Sequence, residues 1–359
     1  MQAAIMHGLG LPLDIEDVTP EPPGANDIVV SVEAAGVCHS DISGLRGYLG
    51  LENPTILGHE VAGVVTEVGA DVRGLRVGDR IIGSLVPHCK QCFWCLRGQS
   101  HLCAETWSVR GVTRARTASG DAVTSMLGLG AFAEQMVMDS RLAVKVDSDL
   151  PAEQLALIGC GISTGAGAAL WTAKVQPGST VAVIGCGGVG QSLIQGARIA
   201  GAARIIAVDP TPFKREVSLR NGATDTVDPG QGPTAEQVKD LTSGRGVDYA
   251  FEVVGRMQTV TDAYESARRG GEVITVGIPS PDARIDLPAT DFFRAEKSIV
   301  GSYYGSTQVA SGFQVFADLI AAGRFDAEGL ITHRYGLGDL ARAFDELEAG
   351  EVIRGVVTF

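Results

Sequence analysis

A run of glycines between a strand and a helix constrains the fold of this chain more than any other feature. GCGGVG, Gly185 to Gly190, has the spacing G-x-G-x-x-G; it follows the apolar run TVAVIG (180–185) and opens GVGQSLIQGARIAGA (188–202), whose apolar positions recur at helical spacing. Gly185 permits a tight turn, Gly187 lets backbone approach a pyrophosphate, and Gly190 lets the helix pack on the sheet. The free N–H groups and partial positive charge at the start of the helix would bind the phosphates of a dinucleotide.

Strand-like and helix-like segments alternate after residue 160. RIIAVD (204–209), DYAFEVVG (248–255) and GEVITVGI (271–278) are further apolar strands, separated by helix-like segments such as TVTDAYESARR. This alternation predicts an α/β fold with a doubly wound parallel sheet. Residues 1 to about 155 are instead mostly strands bounded by Gly, Asp and Pro, so a separate β-rich domain is expected.

Asp209 ends the strand after the glycine loop, nineteen residues beyond Gly190. At this place a carboxylate would accept hydrogen bonds from the adenosine ribose of NAD. It would also repel the 2′-phosphate of NADP, because two unit charges about 4 Å apart at an effective dielectric near 20 cost roughly 4 kcal/mol. Even half of that energy gives more than a tenfold preference for NAD. The alternative is a solvated acid at a strand end.

Four of the seven cysteines lie within fifteen residues, in CKQCFWCLRGQSHLC, with the spacing C-x2-C-x2-C-x7-C: Cys89, Cys92, Cys95 and Cys103. The N-terminus lacks the pattern of a signal peptide, and no apolar run reaches the roughly 18 to 20 residues of a membrane span. We therefore expect a cytoplasmic protein, in which thiols stay reduced. Spacing and compartment favour a structural zinc ion over a disulfide knot or buried core cysteines.

Size and charge narrow the function classes further. The 359 residues are enough for more than one domain. The net charge of −13 argues against nucleic acid and against an anionic membrane as partners.

Three separated residues could form a second zinc site: Cys38 in GVCHSD, His59 in LGHEVAG with Glu60 beside it, and Cys160 in LIGCGISTGAG. Two thiolates and one imidazole leave a fourth position open, which is typical of catalytic zinc. Spacing alone cannot assemble residues so far apart, and taken singly each could be a core cysteine or a satisfied histidine.

The chain resembles the zinc-dependent medium-chain alcohol dehydrogenases along essentially its whole length. The motifs that carry the resemblance occur in order: GVCHSD, LGHEVAG, the four-cysteine lobe, LIGCGISTGAGAA, VIGCGGVG, AARIIAVD, FEVVGR and EVIRGVVTF. It is most similar to the long, usually dimeric branch, which has Cys at the third zinc position and an insert like residues 104–128.

The resemblance implies a GroES-like catalytic domain over 1–161 with a structural zinc lobe at about 87–106. It further implies a Rossmann domain over 162–304 that binds NAD(H), and a return to the catalytic domain over 305–359. Each subunit would hold two zinc ions, the catalytic one on Cys38, His59 and Cys160 with Glu60 as a transient ligand. Zinc would act as a Lewis acid on the alcohol or carbonyl oxygen while NAD accepts or gives the hydride.

The resemblance also assigns cofactor and proton-transfer residues. Ser40 would start a proton relay, which many relatives finish with a histidine where this chain has Ser43. The other residues that would contact the cofactor, besides the three glycines and Asp209 named above, are His39, Thr164, Gly188, Val189, Lys214, Arg256, Val276, Ile278 and Arg354, the last of them at the pyrophosphate.

The residues that would line the substrate pocket by resemblance are apolar: Leu49, Leu85, Leu102, Met126, Leu127, Ile278 and Tyr303. Some of the leucines could equally be core residues. The family's glutathione-dependent formaldehyde dehydrogenases have an acid and an arginine where this chain has Leu49 and Trp107, so an apolar primary alcohol, aliphatic or aromatic, fits better. The alternatives are a formaldehyde dehydrogenase that uses another thiol, and a non-catalytic NAD- or zinc-binding protein. The branch implies a homodimer, with a tetramer as the other option.

Overall fold

The computed structural model describes residues 1–52 and 54–359. The chain divides into two compact units. The first comprises Met1–Gly161, Gln308–Gly323 and Ala327–Phe359, and the second comprises Ile162–Thr307 and Arg324–Asp326. The return to the first unit thus starts at Gln308, three residues later than the resemblance implied, and a short segment near residue 325 belongs to the second unit.

The N-terminal part of the first unit consists mainly of strands. They are β1 Gln2–Met6, β2 Leu13–Asp17, β3 Thr19–Pro20, β4 Asp27–Val37, β5 Thr55–Ile56, β6 Glu60–Val68, β7 Arg80–Gly83, β8 Ala115–Arg116, β9 Ala122–Ser125, β10 Gln135–Asp139 and β11 Ala143–Lys145. Helix α1, His39–Leu45, follows β4, and α2, Ala152–Leu157, leads through the π-helical turn Ile158–Ile162 out of this part of the chain. The cysteine-rich segment between β7 and β8 consists of short 3₁₀ turns, as expected for a loop.

The second unit alternates strands with helices. The strands are β12 Thr180–Ile184, β13 Arg204–Val208, β14 Asp225–Val227, β15 Val247–Glu252, β16 Ala267–Thr275 and β17 Ser298–Gly301. The helices are α3 Ser163–Gly167, α4 Gly188–Ile199, α5 Pro212–Asn221, α6 Thr234–Leu241, α7 Met257–Ser266 and α8 Ala289–Ala295, with a π-helical turn at Ala168–Thr172. The C-terminal part of the first unit adds α9 Val309–Ala321, β18 Ile331–Tyr335, α10 Leu340–Ala349 and β19 Arg354–Thr358.

The sheet of the second unit is parallel throughout, in the order β14-β13-β12-β15-β16-β17. This is the Rossmann order, in which the strand order reverses between β12 and β15. Alternate strand residues enter two separate cores: Val181 and Val183 lie on the face covered by α4, and Ala182 and Ile184 on the face covered by α6 and α7. The predicted doubly wound parallel sheet is confirmed.

Within the described residues, the first unit has two sheets. One has the order β2-β1-β5-β9-β8-β3, and the other the order β11-β7-β6-β4-β19-β18, with β10 paired to the first part of β4, residues 27–31. The pairing of β4 with β6 is antiparallel and places Gly36 opposite Glu60. The pairing of β19 with β4 is also antiparallel and places Gly355 opposite Val37. The ends of three strands distant in sequence therefore lie side by side.

Two segments differ from what the sequence predicts, a strand in where it begins and ends, and a helix in how long an apolar segment it forms. The strand expected at 271–278 runs instead from Ala267 to Thr275, because its first residue pairs with Val247 before an irregularity in the register. The continuous helical segment Ala152–Thr172 is apolar and long enough to cross a membrane, but 78% of its most apolar window is buried inside the protein, as in a core helix.

Candidate active site

The first unit brings Cys38, His59, Glu60 and Cys160 together. Their ligand atoms all lie within 4.8 Å of one another, and all four residues are buried. Cys38 precedes α1 at the end of β4, and the antiparallel partner β6 starts with Glu60, directly after His59. Cys160 lies in the π-helical turn Ile158–Ile162. Sheet register thus brings Cys38 close to His59 and Glu60, and the π-helical turn adds Cys160, a proximity that sequence spacing could not predict.

Asp41 fixes the orientation of His59. His59 Nδ1 lies 2.9 Å from Asp41 Oδ1, and both side chains are fully buried. The other oxygen, Oδ2, accepts a hydrogen bond of 2.9 Å from the Cys38 N–H. Burial disfavours the charged imidazolium, but the Asp41 carboxylate raises the pKa of His59 well above its ordinary value. With Nδ1 directed at a carboxylate, the lone pair that remains for a ligand is on Nε2.

Asp41 was not among the residues assigned from the sequence. Its position three residues after Cys38, in GVCHSD, was the available signal, because an acid at the third position of a helix can bond back to the backbone N–H before it. Burial raises the pKa of Asp41, against the opposing charge of His59. The two groups therefore form one buried hydrogen-bonded pair next to the first thiol.

The two thiols share a hydrogen bond. That bond from Cys160 lowers the pKa of Cys38 well below its ordinary value, although burial opposes the change. The same bond, together with burial, raises the pKa of Cys160. The two thiols therefore titrate together as one pair that shares a proton, and a cation that replaces this shared proton would be favoured.

Glu60 is held by Arg354, the first residue of β19. Arg354 Nη1 donates to Glu60 Oε1 at 3.1 Å, and the two side chains are 4% and 0% exposed. Burial raises the pKa of Glu60 to about 7, against the opposing charge of Arg354. Burial opposes the charge of Arg354 as well, but the Glu60 carboxylate raises the pKa of the guanidinium. A Cβ on Gly161 would lie 1.9 Å from Arg354 Nη2, so a side chain at that position would displace the guanidinium of this ion pair. The resemblance predicts a pyrophosphate contact for Arg354. The bond to Glu60 uses Nη1, and Nη2 has no hydrogen-bond partner among the described residues, so that contact stays a prediction.

The chemistry of this cluster fits a zinc ion. In the described part of the chain His59 Nε2 and Glu60 Oε2 are buried and have no hydrogen-bond partner, which is costly unless a ligand completes them. Two sulfur atoms, one imidazole nitrogen and a nearby carboxylate are a donor set that Zn²⁺ prefers. Three protein ligands plus one exchangeable position would follow.

The four lobe cysteines form a second cluster. The Sγ atoms of Cys89, Cys92, Cys95 and Cys103 lie within 4.8 Å of one another. The N–H of Cys92 lies 3.4 Å from Cys89 Sγ, and the N–H of Cys95 lies 3.5 Å from Cys92 Sγ. Backbone N–H groups lower the pKa of Cys92 to about 6, while burial raises that of Cys95 to about 12. Four sulfur atoms with backbone N–H support and no open position fit a structural zinc ion.

The glycine loop of the second unit has the geometry that its sequence requires. Gly185 has φ +95°, in the left-handed region. A Cβ on Gly190 would lie 2.0 Å from Gly185 O, whereas nothing lies within 4 Å of a Cβ on Gly187. Gly190 is thus needed for packing, and Gly187 leaves open space in front of α4. Gly188 and Val189 form the first turn of that helix and are partly buried.

Asp209 follows β13 and is buried. Its Oδ2 accepts from the Cys186 N–H at 2.9 Å and its Oδ1 from the Thr211 N–H at 2.8 Å. The carboxylate is therefore fixed against the glycine loop. Cys186 is fully buried and burial raises its pKa to about 12, in keeping with a small filler that does not react.

The other predicted cofactor residues are divided between the two units. In the first unit, Ser40 is partly buried with its Oγ 3.9 Å from Cys38 Sγ, Ser43 is partly buried, and His39 is exposed. In the second unit, Thr164 lies in α3 and Lys214 in α5, both partly buried. The remaining three lie after two strands of that unit. Arg256, exposed, directly precedes α7, and Val276, buried, and Ile278, exposed, follow β16.

The predicted substrate-pocket residues have several environments. Leu49, Leu85 and Leu127 are partly buried and pack against the core of the first unit, and Leu102 is partly exposed. Met126 is fully buried within that core, so for this residue the structure favours a packing role. Ile278 and Tyr303 belong to the second unit and are exposed.

The chain is similar to known proteins along its full length. The family model "Alcohol dehydrogenase GroES-like domain" matches residues 24–148, and the family model "Zinc-binding dehydrogenase" matches residues 188–322. An NDMA-dependent alcohol dehydrogenase from Amycolatopsis methanolica is 34% identical over 365 residues, covering 99% of this chain and 98% of the relative.

Solved structures agree with this result. An alcohol dehydrogenase zinc-binding domain protein from Burkholderia ambifaria superposes with a TM-score of 0.95 at 29% identity, over 100% of this chain and 98% of its own. Benzyl alcohol dehydrogenase from Acinetobacter calcoaceticus superposes with a TM-score of 0.93 at 26% identity, over 100% of this chain and 99% of its own. The chain, a GroES-like domain joined to a Rossmann domain, therefore belongs to the zinc-dependent medium-chain alcohol dehydrogenase family.

Proposed function

We propose that this chain is an NAD(H)-linked alcohol dehydrogenase that interconverts apolar primary alcohols, aliphatic or aromatic, and their aldehydes. The observation that carries the proposal is the buried cluster of Cys38, His59, Glu60 and Cys160, in which two polar atoms lack a partner among the described residues. Asp209, fixed beside the glycine loop, supports NAD as the cofactor.

The chain's own residues would hold and orient the reacting groups. Cys38, His59 and Cys160 would hold the catalytic zinc, which when bound supplies a Lewis acid for the substrate oxygen, and bound NAD supplies the hydride acceptor. The Asp41 carboxylate accepts a hydrogen bond from His59 Nδ1, which leaves the lone pair of Nε2 free to bind zinc. Arg354 holds one oxygen of Glu60 and leaves the other unpaired, as a transient ligand would require.

Ser40 is our candidate to take the alcohol proton. Its hydroxyl lies beside Cys38 and is partly buried, so it borders the cluster without belonging to it. Ser43, where many relatives have histidine, is also partly buried. A hydroxyl can pass a proton on but does not titrate near neutrality. The end of the relay in this chain would then be water.

The lobe cysteines would hold a structural zinc, which braces the loop and takes no part in the reaction. All seven cysteines are free thiols, which is consistent with reduced conditions such as the cytoplasm. A homodimer is our expectation for the assembly. In the described residues the edge strand β17 pairs on one side only, with β16, and a second copy could pair on the other.

The acceptor of the hydride is a separate question, because the similar protein from Amycolatopsis methanolica is named as NDMA-dependent. The same zinc and dinucleotide sites would serve if the reduced cofactor passed its hydride to an added acceptor while it stayed bound. We therefore treat NDMA-dependent turnover as a second form of the proposed activity. A thiol-dependent formaldehyde dehydrogenase is less well supported, since Leu49 and Trp107 offer no charge to hold a thiol adduct.

The test is an initial-rate assay with a panel of primary alcohols from ethanol to benzyl alcohol, each with NAD or with NADP, and each in the presence and in the absence of NDMA. Wild type would be compared with Cys38→Ala and with His59→Ala, and His333→Ala would serve as the matched control. We expect rates that rise with apolar size, vanish in the two ligand variants and persist in the control. Wild-type protein that contains both zinc ions but turns over formaldehyde only with an added thiol would overturn the substrate assignment. No turnover under any of these conditions would favour the non-catalytic alternative.

A further inference from the structure

Glu252, the last residue of β15, is a buried acid that none of the cofactor contacts proposed above involves. It is 1% exposed. Its Oε1 accepts from the N–H groups of Val254 at 2.8 Å and Gly255 at 2.7 Å, and from the Thr259 hydroxyl at 2.7 Å. A buried carboxylate oxygen is stable only with such donors, so the turn after β15 is shaped around this side chain.

The main chain of Glu252 holds a second segment. Its carbonyl oxygen accepts from the N–H groups of Val276 at 2.8 Å and Gly277 at 3.1 Å, directly after β16. One residue therefore fixes the turn after β15 with its side chain and the turn after β16 with its backbone. Both turns lie at the carboxyl ends of parallel strands, which is the edge where doubly wound sheets bind their ligands.

The two turns are packed too closely to move independently. A Cβ on Gly255 would lie 2.3 Å from Ile278 O, and a Cβ on Gly277 would lie 2.1 Å from Gly255 N. Gly255 also has φ +86°, a conformation that the hydrogen bond to Glu252 helps to hold. On the other side, a Cβ on Gly185 would lie 2.6 Å from Val254 Cγ2. The turn that Glu252 fixes is thus wedged between the glycine loop and the backbone at Ile278.

We propose that Glu252 is a positioning residue for the nicotinamide half of the dinucleotide. It fixes Val254 and Gly255, and through them the backbone from Val276 to Ile278, which borders the glycine loop on the side away from Asp209. The inference rests on the proposed function, because it requires that the second unit bind NAD(H). The adenosine half would depend on Asp209 and α5, which are hydrogen-bonded to other partners.

The test compares the affinity for NADH with the affinity for ADP-ribose, which lacks the nicotinamide, by calorimetry on the zinc-loaded full chain. Glu252→Met removes the acceptor at similar size, Glu252→Gln keeps an acceptor oxygen, and Glu272→Met, in β16 of the same sheet, is the matched control. Loss of two to three hydrogen bonds predicts NADH binding at least about tenfold weaker in Glu252→Met. ADP-ribose binding should change less than about twofold, and Glu252→Gln should restore NADH affinity to within about threefold of wild type.

Equal losses for NADH and ADP-ribose in Glu252→Met would overturn the proposal, because they would indicate general damage to the cofactor unit. Unchanged NADH affinity would overturn it as well. If Glu252→Met does not fold, Thr259→Val removes one of the same hydrogen bonds, and it must weaken NADH binding while sparing ADP-ribose. Wild-type protein that binds neither compound would instead refute the proposed NAD(H) function, so the two failures are distinguishable.

Discussion

Replacing Asp209 should change the choice between NAD and NADP by an amount that depends on the replacement. The side chain is 5% exposed and fixed by two backbone N–H groups, so its charge cannot turn away from a 2′-phosphate. A unit charge about 4 Å away at an effective dielectric near 20 is repelled by roughly 4 kcal/mol, and solvent would reduce this to about 2 kcal/mol. Asp209→Asn removes the charge and keeps one acceptor oxygen. We expect the ratio of kcat/KM for NAD to that for NADP to fall roughly 30-fold.

Asp209→Ala should behave differently, although it removes the same charge. It also leaves the N–H groups of Cys186 and Thr211 without their acceptor, at about 1 kcal/mol each. The ratio should fall as in Asp209→Asn, but binding of both cofactors should weaken because the glycine loop loses its support. The assay is the kinetic ratio together with the Kd of NADH and NADPH from fluorescence titration, with Asp225→Asn as the control. An unchanged ratio in Asp209→Asn would refute the electrostatic reasoning.

Three further predictions concern the other charged and metal-binding groups. Arg354→Met leaves a buried carboxylate without its cation and should lower the free energy of unfolding by about 3 kcal/mol; an unchanged chemical denaturation midpoint would contradict this. Metal analysis should find two zinc ions per chain in wild type and one zinc ion per chain in each of the variants His59→Ala and Cys103→Ala. Loss of both zinc ions in either variant would mean that the two sites are not independent. Burial opposes ionisation of Asp139, but hydrogen bonds from the Arg141 guanidinium lower the pKa of this carboxyl group. Asp139→Asn should therefore lower the free energy of unfolding by about 1 kcal/mol at pH 7. That cost should disappear as the pH falls below about 3.9, and a cost that persists in acid would show that the charge is not its source.

The glycine loop could be predicted from sequence because each of its requirements is local. Gly185 needs a left-handed turn, Gly190 needs contact with the preceding strand, and both follow from the order strand, loop, helix. The parallel sheet followed from the same local alternation. By contrast, β16 begins at Ala267, earlier than its apolar residues indicate, because pairing with β15 decides where that strand starts.

The zinc cluster could not be assembled from spacing, because its members are joined by sheet register and, for Cys160, by the packing of the π-helical turn Ile158–Ile162. Cys38 and Glu60 become neighbours through the pairing of Gly36 with Glu60, and Arg354 joins them through β19. Resemblance to a family supplied the first two residues and predicted a pyrophosphate contact for Arg354, but it did not predict the bond from Arg354 to Glu60. Asp41 was missed although it lies in the same motif as Cys38, because nothing in the sequence indicates which buried group its second oxygen would meet.

The buried carboxylates of this chain differ in how many of their oxygen lone pairs are left to bind a ligand. This number distinguishes residues that support the site from residues that would bind the ligand. Asp41 has one oxygen on the His59 imidazole and the other on a backbone N–H, so it is committed to the protein. Asp209 also accepts one N–H at each oxygen, but it borders the open space before α4, and each oxygen has a second lone pair to offer a ribose hydroxyl. Glu60 keeps a whole oxygen unpaired within the described residues. One of its two carboxylate oxygens lies 4.8 Å or less from two thiol sulfur atoms and an imidazole nitrogen. A cation bound by the unpaired oxygen would offset the free-energy cost of burying it, and that makes Glu60 a binding residue and not a supporting one.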